Sequence, residues 1–552
     1  MRNCVLLILF LPALLSCSDG QDSVASDTPL PFLSYSAEPQ PRGGDCNDEI
    51  DVNAPLIVQG FGFNHANTRN QPSLLNTGNV HELSVNFMHT RPDTNEKRGA
   101  PAVTAQAIFL TSGRELMAIN RLSGCQYWSF TTPDEGAAFR SASILFTRGG
   151  ETLPATVFAA DYNGIVYALD ARTGEALWQR FVGTVAFYHF VTGGMQYHDG
   201  RLFVPVSSKE VLAATISPLP CCISHGMLVT LDAQTGEVLW EYHTTADATE
   251  TVIPGEQIGP NGATVWATPT LDIARNAIYI GTGQNYSNPA TATSDAIISL
   301  DMDNGAVNWI FQARENDTWN GNCAIPDSLR CTDPPGYDFD FGAAPILLDD
   351  GPTLIAGDKG GVVYSIRADT GELNWSHKIS RGSTLGGTHW GMAVDEERVY
   401  VAATDFNIDK ASGGRADLVA GARPGIYALD IASGELAWEI HPTHEFQGLT
   451  SPSLYSASLS LSNDLLFAGS LDGVVRAFDT TDGSEAWSFN TALDFTDLNG
   501  VPGNGGTIDS VGVVVAGDSL LVNSGYSTFQ GIDGRYQAGP GNALFVLHLP
   551  PR

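Results

Sequence analysis

Positively charged side chains are scarce in this sequence. Its 552 residues include 28 lysines and arginines against 61 aspartates and glutamates, which gives a formal net charge of −33. Because nucleic acids and anionic membranes are bound by surfaces rich in cations, we exclude both as partners of the protein surface. The excess of acidic residues is typical of a solvated coat, and it favours attraction of cations or basic partners.

The sequence also lacks an apolar run long enough to cross a bilayer. The run from Val5 to Leu15 follows Arg2 and has the length of the apolar part of a signal peptide. It ends in Leu14-Leu15-Ser16-Cys17, which resembles the lipobox of bacterial lipoproteins, where cleavage precedes a cysteine that becomes lipidated.

This pattern predicts a signal peptide at residues 1–16 and a lipid anchor at Cys17 as the membrane contact. Ser18 resembles the residue that sorts lipoproteins to the outer membrane. We therefore expect an exported lipoprotein on the periplasmic side of the outer membrane or on the cell surface. A secreted protein with an ordinary signal peptide is the alternative.

Two other features are missing. No Cys-x-x-Cys-His occurs, so the sequence encodes no covalently attached haem, and no convincing amphipathic helix is present. Residues 17–45 are rich in Ser, Asp, Pro and Gln without periodicity, which predicts a flexible tether. Residues 46–552 consist of strand and turn patterns, interrupted by long loops such as Ser208 to His225 and Arg314 to Phe341.

Cysteines are few, with eight in all. Removing Cys4 and Cys17 leaves an even number, which in an oxidising compartment predicts three disulfides. Sequence alone does not fix the pairing. The arrangement that we favour joins Cys46 with Cys125, Cys221 with Cys222, and Cys323 with Cys331.

One strand–turn–strand sequence motif, which we call the phrase, recurs along the chain. Ile165 to Trp178 predicts a strand, a tight turn at Asp170 to Gly174, and a second strand that opens on a large aromatic residue. Each copy has a glycine four residues before its tryptophan, at a turn that needs positive φ. The other copies are Leu116 to Trp128, Leu228 to Trp240, Ile297 to Trp309, Val363 to Trp375, Ile426 to Trp438 and Val475 to Trp487.

The spacing between these phrases leaves room for two hairpins per period. A four-stranded unit repeated around a ring is typical of a β-propeller, in which each tryptophan packs as a wedge against the next blade. Leu83 to Phe87 matches the outer strand that the last repeat, ending in Leu544 to Leu549, lacks. We therefore predict an all-β, eight-bladed propeller closed by pairing of N- and C-terminal strands. An open solenoid and chance repetition of hairpins are the alternatives.

Some residues stand outside the repeat. Trp266, Trp319 and Trp390 close no repeat and lie beside unusual polar sequence. The adjacent Cys221 and Cys222 would form a strained ring, and strain of this kind is found at functional sites. Such a flat ring could cover one face of a planar cofactor while a tryptophan stacks on the other. Two free buried cysteines, and tryptophans of blade cores, are the alternatives.

The phrase Ala-x-Asp-x-x-Thr-Gly-x-x-x-Trp resembles the tryptophan-docking motif of the pyrroloquinoline-quinone (PQQ)-dependent alcohol dehydrogenases. From about Gly60 to Leu549 the order and spacing of several stretches are similar to the polyvinyl-alcohol dehydrogenase branch. These stretches include Cys221-Cys222, Val265-Trp266, Asp317-Thr318-Trp319-Asn320, Phe339-Asp340-Phe341-Gly342, Gly357-Asp358-Lys359-Gly360, Trp390-Gly391-Met392 and Pro540-Gly541-Asn542.

The resemblance implies a PQQ- and calcium-dependent enzyme that oxidises secondary or polymeric alcohols. Electrons would pass to an external acceptor such as cytochrome c, since the haem domain of some relatives is absent. It implies Asp317 as the general base, with Asp340 the next candidate, and Lys359 as a cation beside the quinone oxygens. The implied cofactor-binding residues are Cys221, Cys222, Trp266, Lys359, Ser207, Arg140, Trp390 and Asn542.

The implied calcium ligands are Glu210 with Gln284 or Asn285, together with Asp317. The sequence departs from the family at two points, with Gln284 where relatives carry asparagine and His225 where an arginine is usual. A rival interpretation is a non-catalytic scaffold, resembling the propeller lipoprotein of the outer-membrane assembly machinery. A scaffold would not need the paired cysteines, Asp317 or Lys359. A third is a propeller that binds a small molecule without turnover.

Overall fold

Strands dominate the computed structural model, which describes residues 43–550 apart from 92–98, 137, 140–143, 151, 187, 214–220, 254–256, 326, 349–350, 408–416 and 527–537. The predicted signal peptide, Cys17 and nearly all of the predicted tether lie outside these residues. Helix is confined to short turns at Val80–Glu82, Glu210–Ala213 and Gly321–Ala324. Among the described helices, none has the length and hydropathy needed to traverse a bilayer.

Eight antiparallel sheets, which we call blades 1 to 8, follow one another along the chain. Blade 1 contains Leu56–Val58, Ala102–Thr104, Ala107–Ser112, Glu115–Asn120 and Gln126–Thr131. Blade 2 contains Leu145–Thr147, Thr156–Ala160, Ile165–Asp170 and Ala176–Phe181. Blade 3 contains His189–Phe190, Gln196–His198, Arg201–Ser208, Met227–Asp232 and Val238–His243. Blade 4 contains Thr270–Asp272, Ala277–Gly281, Ala296–Asp301 and Val307–Gln312.

The second half of the ring has the same plan. Blade 5 contains Ile346–Leu347, Thr353–Gly357, Val362–Arg367 and Leu373–Lys378. Blade 6 contains Ala393–Val394, Arg398–Ala403, Gly425–Asp430 and Leu436–Ile440. Blade 7 contains Ser460–Ser462, Leu465–Gly469, Val474–Asp479 and Glu485–Asn490. Blade 8 contains Val513–Ala516, Ser519–Ser524, Ala543–His548 and Ser84–Thr90. Two-stranded hairpins extend from the loops at Glu250–Ile253 with Gln257–Gly259, Phe406–Asn407 with Asp417–Leu418, Thr443–Phe446 with Leu449–Pro452, and Asp494–Thr496 with Pro502–Asn504.

The predicted closure of the ring is confirmed. Ser84–Thr90 pairs with Ala543–His548, and Phe87 faces Val546 in the register. The N-terminal strand thus supplies the outer strand that the last repeat lacks, so blade 8 is built from both ends of the chain and the ring is closed.

Six of the seven docking tryptophans pack on the glycine of the following phrase, and Trp487 ends the last phrase. The Trp128 indole donates to the Ala171 carbonyl oxygen at 3.0 Å, and a Cβ on Gly174 would lie 2.6 Å from the same indole. Gly236, Gly305, Gly371, Gly434 and Gly483 meet the tryptophan of the preceding phrase in the same way. The glycine is therefore required twice, for its positive φ and for the close approach of the neighbouring blade.

A segment that sequence reasoning missed closes the inside of the ring. Residues 60–74 run past the innermost strands of successive blades and bond to their backbones. His65 accepts from Leu271 of blade 4, Ala66 from Leu347 of blade 5, Thr68 from Val394 of blade 6 and Arg69 from Leu461 of blade 7. We call residues 60–74 the central segment. It ties six blades together, because it also bridges to blade 2 at Gly60 and to blade 8 at Ser73.

Arg69 is the main anchor of the central segment. Its buried guanidinium lies 4.9 Å from the Phe61 ring centroid and 4.7 Å from that of Phe63, and burial lowers its pKa to about 9. The group remains charged at neutral pH, and hydrogen bonds satisfy it. Its acceptors are the carbonyl oxygens of Phe61, Leu459, Val511 and Val513 and Ser460 Oγ.

Arg69→Met is expected to lower the free energy of unfolding by about 3 kcal/mol, because it leaves several buried carbonyl oxygens without a donor. Urea unfolding measures this change. The control is Arg172→Met, at an exposed position, for which we expect a change below about 0.5 kcal/mol. Equal unfolding midpoints for the two variants would show that the central segment does not hold the blades together.

Candidate active site

Several residues that the sequence analysis singled out lie just before the innermost strands of neighbouring blades. Trp266, Gly342 and Trp390 lie three or four residues before the innermost strands of blades 4, 5 and 6. The central segment bonds to those strands themselves, so these residues lie near the propeller axis, beside that segment. The two long loops predicted to carry function also approach each other, since the helix Glu210–Ala213 contacts the turn Gly321–Ala324.

The cysteine pairing is confirmed, with disulfides at Cys46–Cys125, Cys221–Cys222 and Cys323–Cys331. The Cys221–Cys222 ring is buried and packs with Tyr286 and Val211. The Cys222 carbonyl oxygen accepts from Asn261 Nδ2 at 2.8 Å. Sequence reasoning missed Asn261, which fixes the paired cysteines to the segment Gln284 to Ser287. Its side-chain Oδ1 accepts from the Tyr286 N–H, and its carbonyl oxygen accepts from Asn285 Nδ2.

Glu210 points back into the protein. Its carboxylate accepts from the backbone N–H groups of Ile223 and Ser224 and from Ser224 Oγ. Burial raises the pKa of Glu210, and the Ser224 hydrogen bonds oppose that shift. Ser207, three residues earlier, is buried and pairs with Phe190 in blade 3.

The predicted amide ligands, Gln284 and Asn285, both contact the loop Arg314 to Phe341, which we call the acidic loop. Asn285 Oδ1 accepts from the Thr291 N–H at 2.8 Å, and Gln284 Nε2 donates to the Trp319 carbonyl oxygen at 3.3 Å. The Asn285 backbone N–H donates to the carbonyl oxygen of Asp317. One backbone contact therefore joins the predicted amide ligands to the predicted base.

Lys359 lies between two carboxylates. Its Nζ is 3.0 Å from Asp338 Oδ2 and 3.2 Å from Asp340 Oδ2. The other oxygen of Asp340 accepts from the Gln284 N–H at 3.1 Å. Burial disfavours the charged form of Lys359, but Asp338 and Asp340 outweigh it and raise the lysine pKa. Lys359 is therefore a fixed cation.

Asp317 has one engaged oxygen and one available oxygen. Its Oδ1 accepts from the Tyr337 N–H at 2.8 Å, whereas Oδ2 has no hydrogen-bond donor among the described residues and lies 3.9 Å from Arg314 Nε. Burial raises the pKa of Asp317, the hydrogen bond from Tyr337 lowers it, and the charge of Asp340 raises it.

Asp295 is an acidic residue that sequence reasoning missed. It is fully buried at positive φ, and neither carboxylate oxygen has a hydrogen-bond partner among the described residues. Burial, together with the charges of Asp317 and Asp340, raises its pKa well above the usual range. The signal that the sequence offered was the polar run Thr293-Ser294-Asp295, directly before the strand Ala296–Asp301 of blade 4.

The buried charged groups around Lys359 form a cluster with more carboxylates than cations. It contains Asp295, Asp317, Asp338, Asp340 and Asp358 against Arg314 and Lys359.

Trp266 is half-buried and has aromatic neighbours. Its ring centroid lies 5.5 Å from that of His389 and 5.3 Å from that of Trp390, in edge-to-face geometry. Gly342 leaves the space that the indole occupies, because a Cβ there would come within 1.9 Å of Trp266 Cη2. Burial and the nearby Lys359 hold the pKa of His389 well below its usual value, so the imidazole is neutral. The backbone before His389 is also tied to Lys359, because the Gly387 N–H donates to the Lys359 carbonyl oxygen at 2.8 Å.

Two predicted residues remain outside this set of contacts. Arg140 lies outside the described residues. Asn542 is in blade 8, where its amide bonds to the backbones of Asn504 and Arg91. The contacts above connect the remaining predicted residues through one region, and their roles stay predictions.

The profile described as the glucose/ethanol/alcohol dehydrogenase β-propeller domain, named PQQ, matches residues 62–373. That range contains the paired cysteines, Trp266, the acidic loop and Lys359. The chain belongs to the PQQ-dependent alcohol dehydrogenase family. It is a quinoprotein dehydrogenase that oxidises an alcohol, as the sequence predicted. A second profile, outer membrane protein assembly factor BamB, matches the repeats at 293–488 and 359–535, which together cover less of the chain.

Relatives in this family include a polyvinylalcohol dehydrogenase of Pseudomonas sp, which is 34% identical over 493 residues, 87% of this chain and 74% of the relative. A polyvinylalcohol dehydrogenase of Sphingopyxis sp. is 32% identical over 517 residues, 91% of this chain and 76% of the relative. The quinohemoprotein alcohol dehydrogenase of Comamonas testosteroni has the same fold, with a TM-score of 0.65 at 16% identity over 90% of this chain and 81% of that one.

Proposed function

We propose that this quinoprotein oxidises secondary alcohols, including polymeric ones, with PQQ and Ca²⁺, and that it passes electrons to an external acceptor such as cytochrome c. The observation that carries the proposal is the connection of the Cys221–Cys222 ring, the carboxylate cluster, Lys359, His389 and Trp266 by successive contacts near the axis. The names of the two relatives above support a polymeric secondary alcohol as substrate.

The residues present fit a planar, anionic quinone. Gly342 and Gly283 allow the Trp266 indole and the Asp340 carboxylate to pack directly against the backbone, which fixes both groups, and Trp390 Nε1 is buried with no described acceptor. In the proposed arrangement Trp266 stacks on one face of the quinone and the Cys221–Cys222 ring covers the other. Lys359 lies at the quinone oxygens, where a fixed cation stabilises developing negative charge. Ser207, Arg140, Trp390 and Asn542 complete the proposed binding set.

Calcium is proposed because the donors suit a hard cation. Glu210, Gln284, Asn285 and Asp317 offer carboxylate and amide oxygens, which Ca²⁺ prefers. The excess of buried carboxylates over Arg314 and Lys359 supports a divalent cation, since such a cluster is costly without added positive charge. Glu210 would hold the ion on the side of the paired cysteines, and Asp317 on the side of the acidic loop.

Bound PQQ would supply the acceptor for the hydride of the carbinol carbon. The hydroxyl proton must leave with it, and a buried carboxylate is the group that takes it. We propose Asp317 for this role, because its Oδ2 has no described donor, whereas Lys359 and the Gln284 N–H engage both oxygens of Asp340. Asp340 then acts as the partner that orients Lys359.

We further propose that the chain is exported and anchored through Cys17, with residues 17–45 as its tether. The lipobox-like sequence carries this proposal. Labelling with a radioactive fatty acid tests it, since Cys17→Ala should abolish incorporation. Label retained in that variant would place the anchor elsewhere.

Reconstitution tests the function directly. Purified apoprotein with PQQ and Ca²⁺ should reduce an artificial dye with propan-2-ol, and omission of PQQ should abolish the reaction. A chelator in place of Ca²⁺ should lower the rate strongly if calcium is the metal. Absence of PQQ binding under excess cofactor would favour the scaffold interpretation.

A further inference from the structure

Most of the exposed large apolar side chains fall into two groups, and Leu74, Ile273, Leu449 and Leu493 belong to neither. One group lies within two residues of a docking tryptophan and recurs from blade to blade, so it belongs to the repeat. It comprises Leu177, Val238, Leu239, Val307, Ile310, Leu373 and Leu436. The other group lies on the two long loops Ser208 to His225 and Arg314 to Phe341.

We call the second group the apolar rim, and it consists of Leu212, Ile223, Ile325, Leu329 and Tyr337. Their exposed fractions are 65%, 37%, 43%, 67% and 63%. Exposed apolar side chains grouped on two loops that contact each other mark a binding surface more often than isolated exposed residues do.

The loops hold these side chains together. The Cys323–Cys331 disulfide closes the short loop that carries Ile325 and Leu329, and Ser328 N–H donates to the Ile325 carbonyl oxygen inside it. The other loop joins this one where the helix Glu210–Ala213 contacts the turn Gly321–Ala324. In that helix Val211 packs on the Cys221–Cys222 ring, and Leu212 is the next residue along the chain.

The apolar rim is continuous with the candidate active site. The backbone N–H of Ile223 donates to the Glu210 carboxylate, and the backbone N–H of Tyr337 donates to Asp317 Oδ1. The Tyr337 ring stacks on Phe339 at 5.3 Å, and Phe339 lies below the Arg314 guanidinium at 4.8 Å. Each rim loop therefore carries a site carboxylate at its base and exposed apolar side chains further out.

We propose that the apolar rim binds the uncharged carbon chain of a long secondary alcohol, while the carbinol carbon lies in the site beneath it. This inference rests on the proposed function and names the surface that selects its substrate. The occupant is argued from the continuity of rim and site, and from charge, since a chain of net charge −33 repels anionic amphiphiles. Chain-length preference would then reside in the two loops rather than at the reacting groups.

The test compares octan-2-ol with propan-2-ol in dye-reduction assays of the PQQ-loaded protein. Wild type should prefer octan-2-ol in kcat/KM by about tenfold or more, because several methylene groups are buried on the rim. The double variant Ile325→Ser with Leu329→Ser should lose that preference through a rise in KM for octan-2-ol. Its kcat/KM for propan-2-ol should stay within about twofold of wild type.

Leu449→Ser is the matched control, at a leucine that is 59% exposed in a hairpin of another loop. It should retain the wild-type preference. A double variant that keeps the preference would overturn the rim assignment. Calorimetric titration of the apoprotein with octan-2-ol gives an independent readout: if wild type oxidises neither alcohol, the proposed function has failed, and binding that the double variant weakens still supports the rim.

Discussion

Asp317→Asn is expected to lower kcat of the PQQ-loaded protein by about 10³-fold, with PQQ affinity changed less than about threefold. The amide keeps the shape of the side chain and its hydrogen bond from the Tyr337 N–H, but it cannot accept the hydroxyl proton. Steady-state dye reduction gives kcat, and equilibrium titration gives the affinity.

Asp340→Asn is the matched variant, since both aspartates are buried members of the same cluster. We expect a smaller loss, about tenfold, because Asp340 orients Lys359 and does not take the proton. The reverse order, with Asp340→Asn the more damaging change, would assign the base to Asp340.

Lys359→Met is expected to lower kcat by about 10²-fold, while the quinone still binds. Methionine keeps most of the length of the lysine side chain but removes the charge that stabilises the quinone oxygens as electrons arrive, and loss of one such group costs about this much. Unchanged turnover would show that Lys359 is a structural ion-pair residue only.

The same variant should lose stability over a wider pH range. Burial raises the pKa of Asp338 to about 8, although the adjacent Lys359 opposes that rise. Without the lysine the folded protein holds the Asp338 proton to higher pH, whereas the unfolded chain releases it near the ordinary carboxyl pKa. The stability of the variant should therefore continue to fall above about pH 8, where the Asp338 contribution in wild type levels off. Parallel stability curves for the two proteins would contradict the ion pair.

Local sequence was enough to predict the ring because its signal repeats. The glycine four residues before each tryptophan serves both the turn and the interblade contact, so a short phrase carries the information for one blade boundary. Phe87 could be matched to the missing outer strand for the same reason. The disulfides followed from cysteines that are few and either close in sequence or near the two sides of the first blade.

The groups that sequence reasoning missed depend on contacts between distant parts of the chain. Arg69 looks like an ordinary surface residue until the central segment passes the innermost strands of blades 4 to 7. Asp295 reads as a polar residue before a strand, yet folding buries it beside Asp317 and Asp340. Asn261 gains its role only when three loops meet around the paired cysteines. The repeating sequence motif carries no information about these long-range contacts.

Equilibrium titration of the apoprotein with PQQ, followed by quenching of protein fluorescence, tests the site most directly. The variants are Cys221→Ser with Cys222→Ser, and Trp266→Ala. The control is Cys46→Ser with Cys125→Ser, which removes a disulfide of blade 1.

We predict that wild type and the control bind one quinone per chain with affinities within about threefold of each other. Affinity should fall by about 10²-fold in the variants of the paired cysteines and of Trp266. Wild-type binding in all three variants would contradict the placement of the quinone between Trp266 and the Cys221–Cys222 ring.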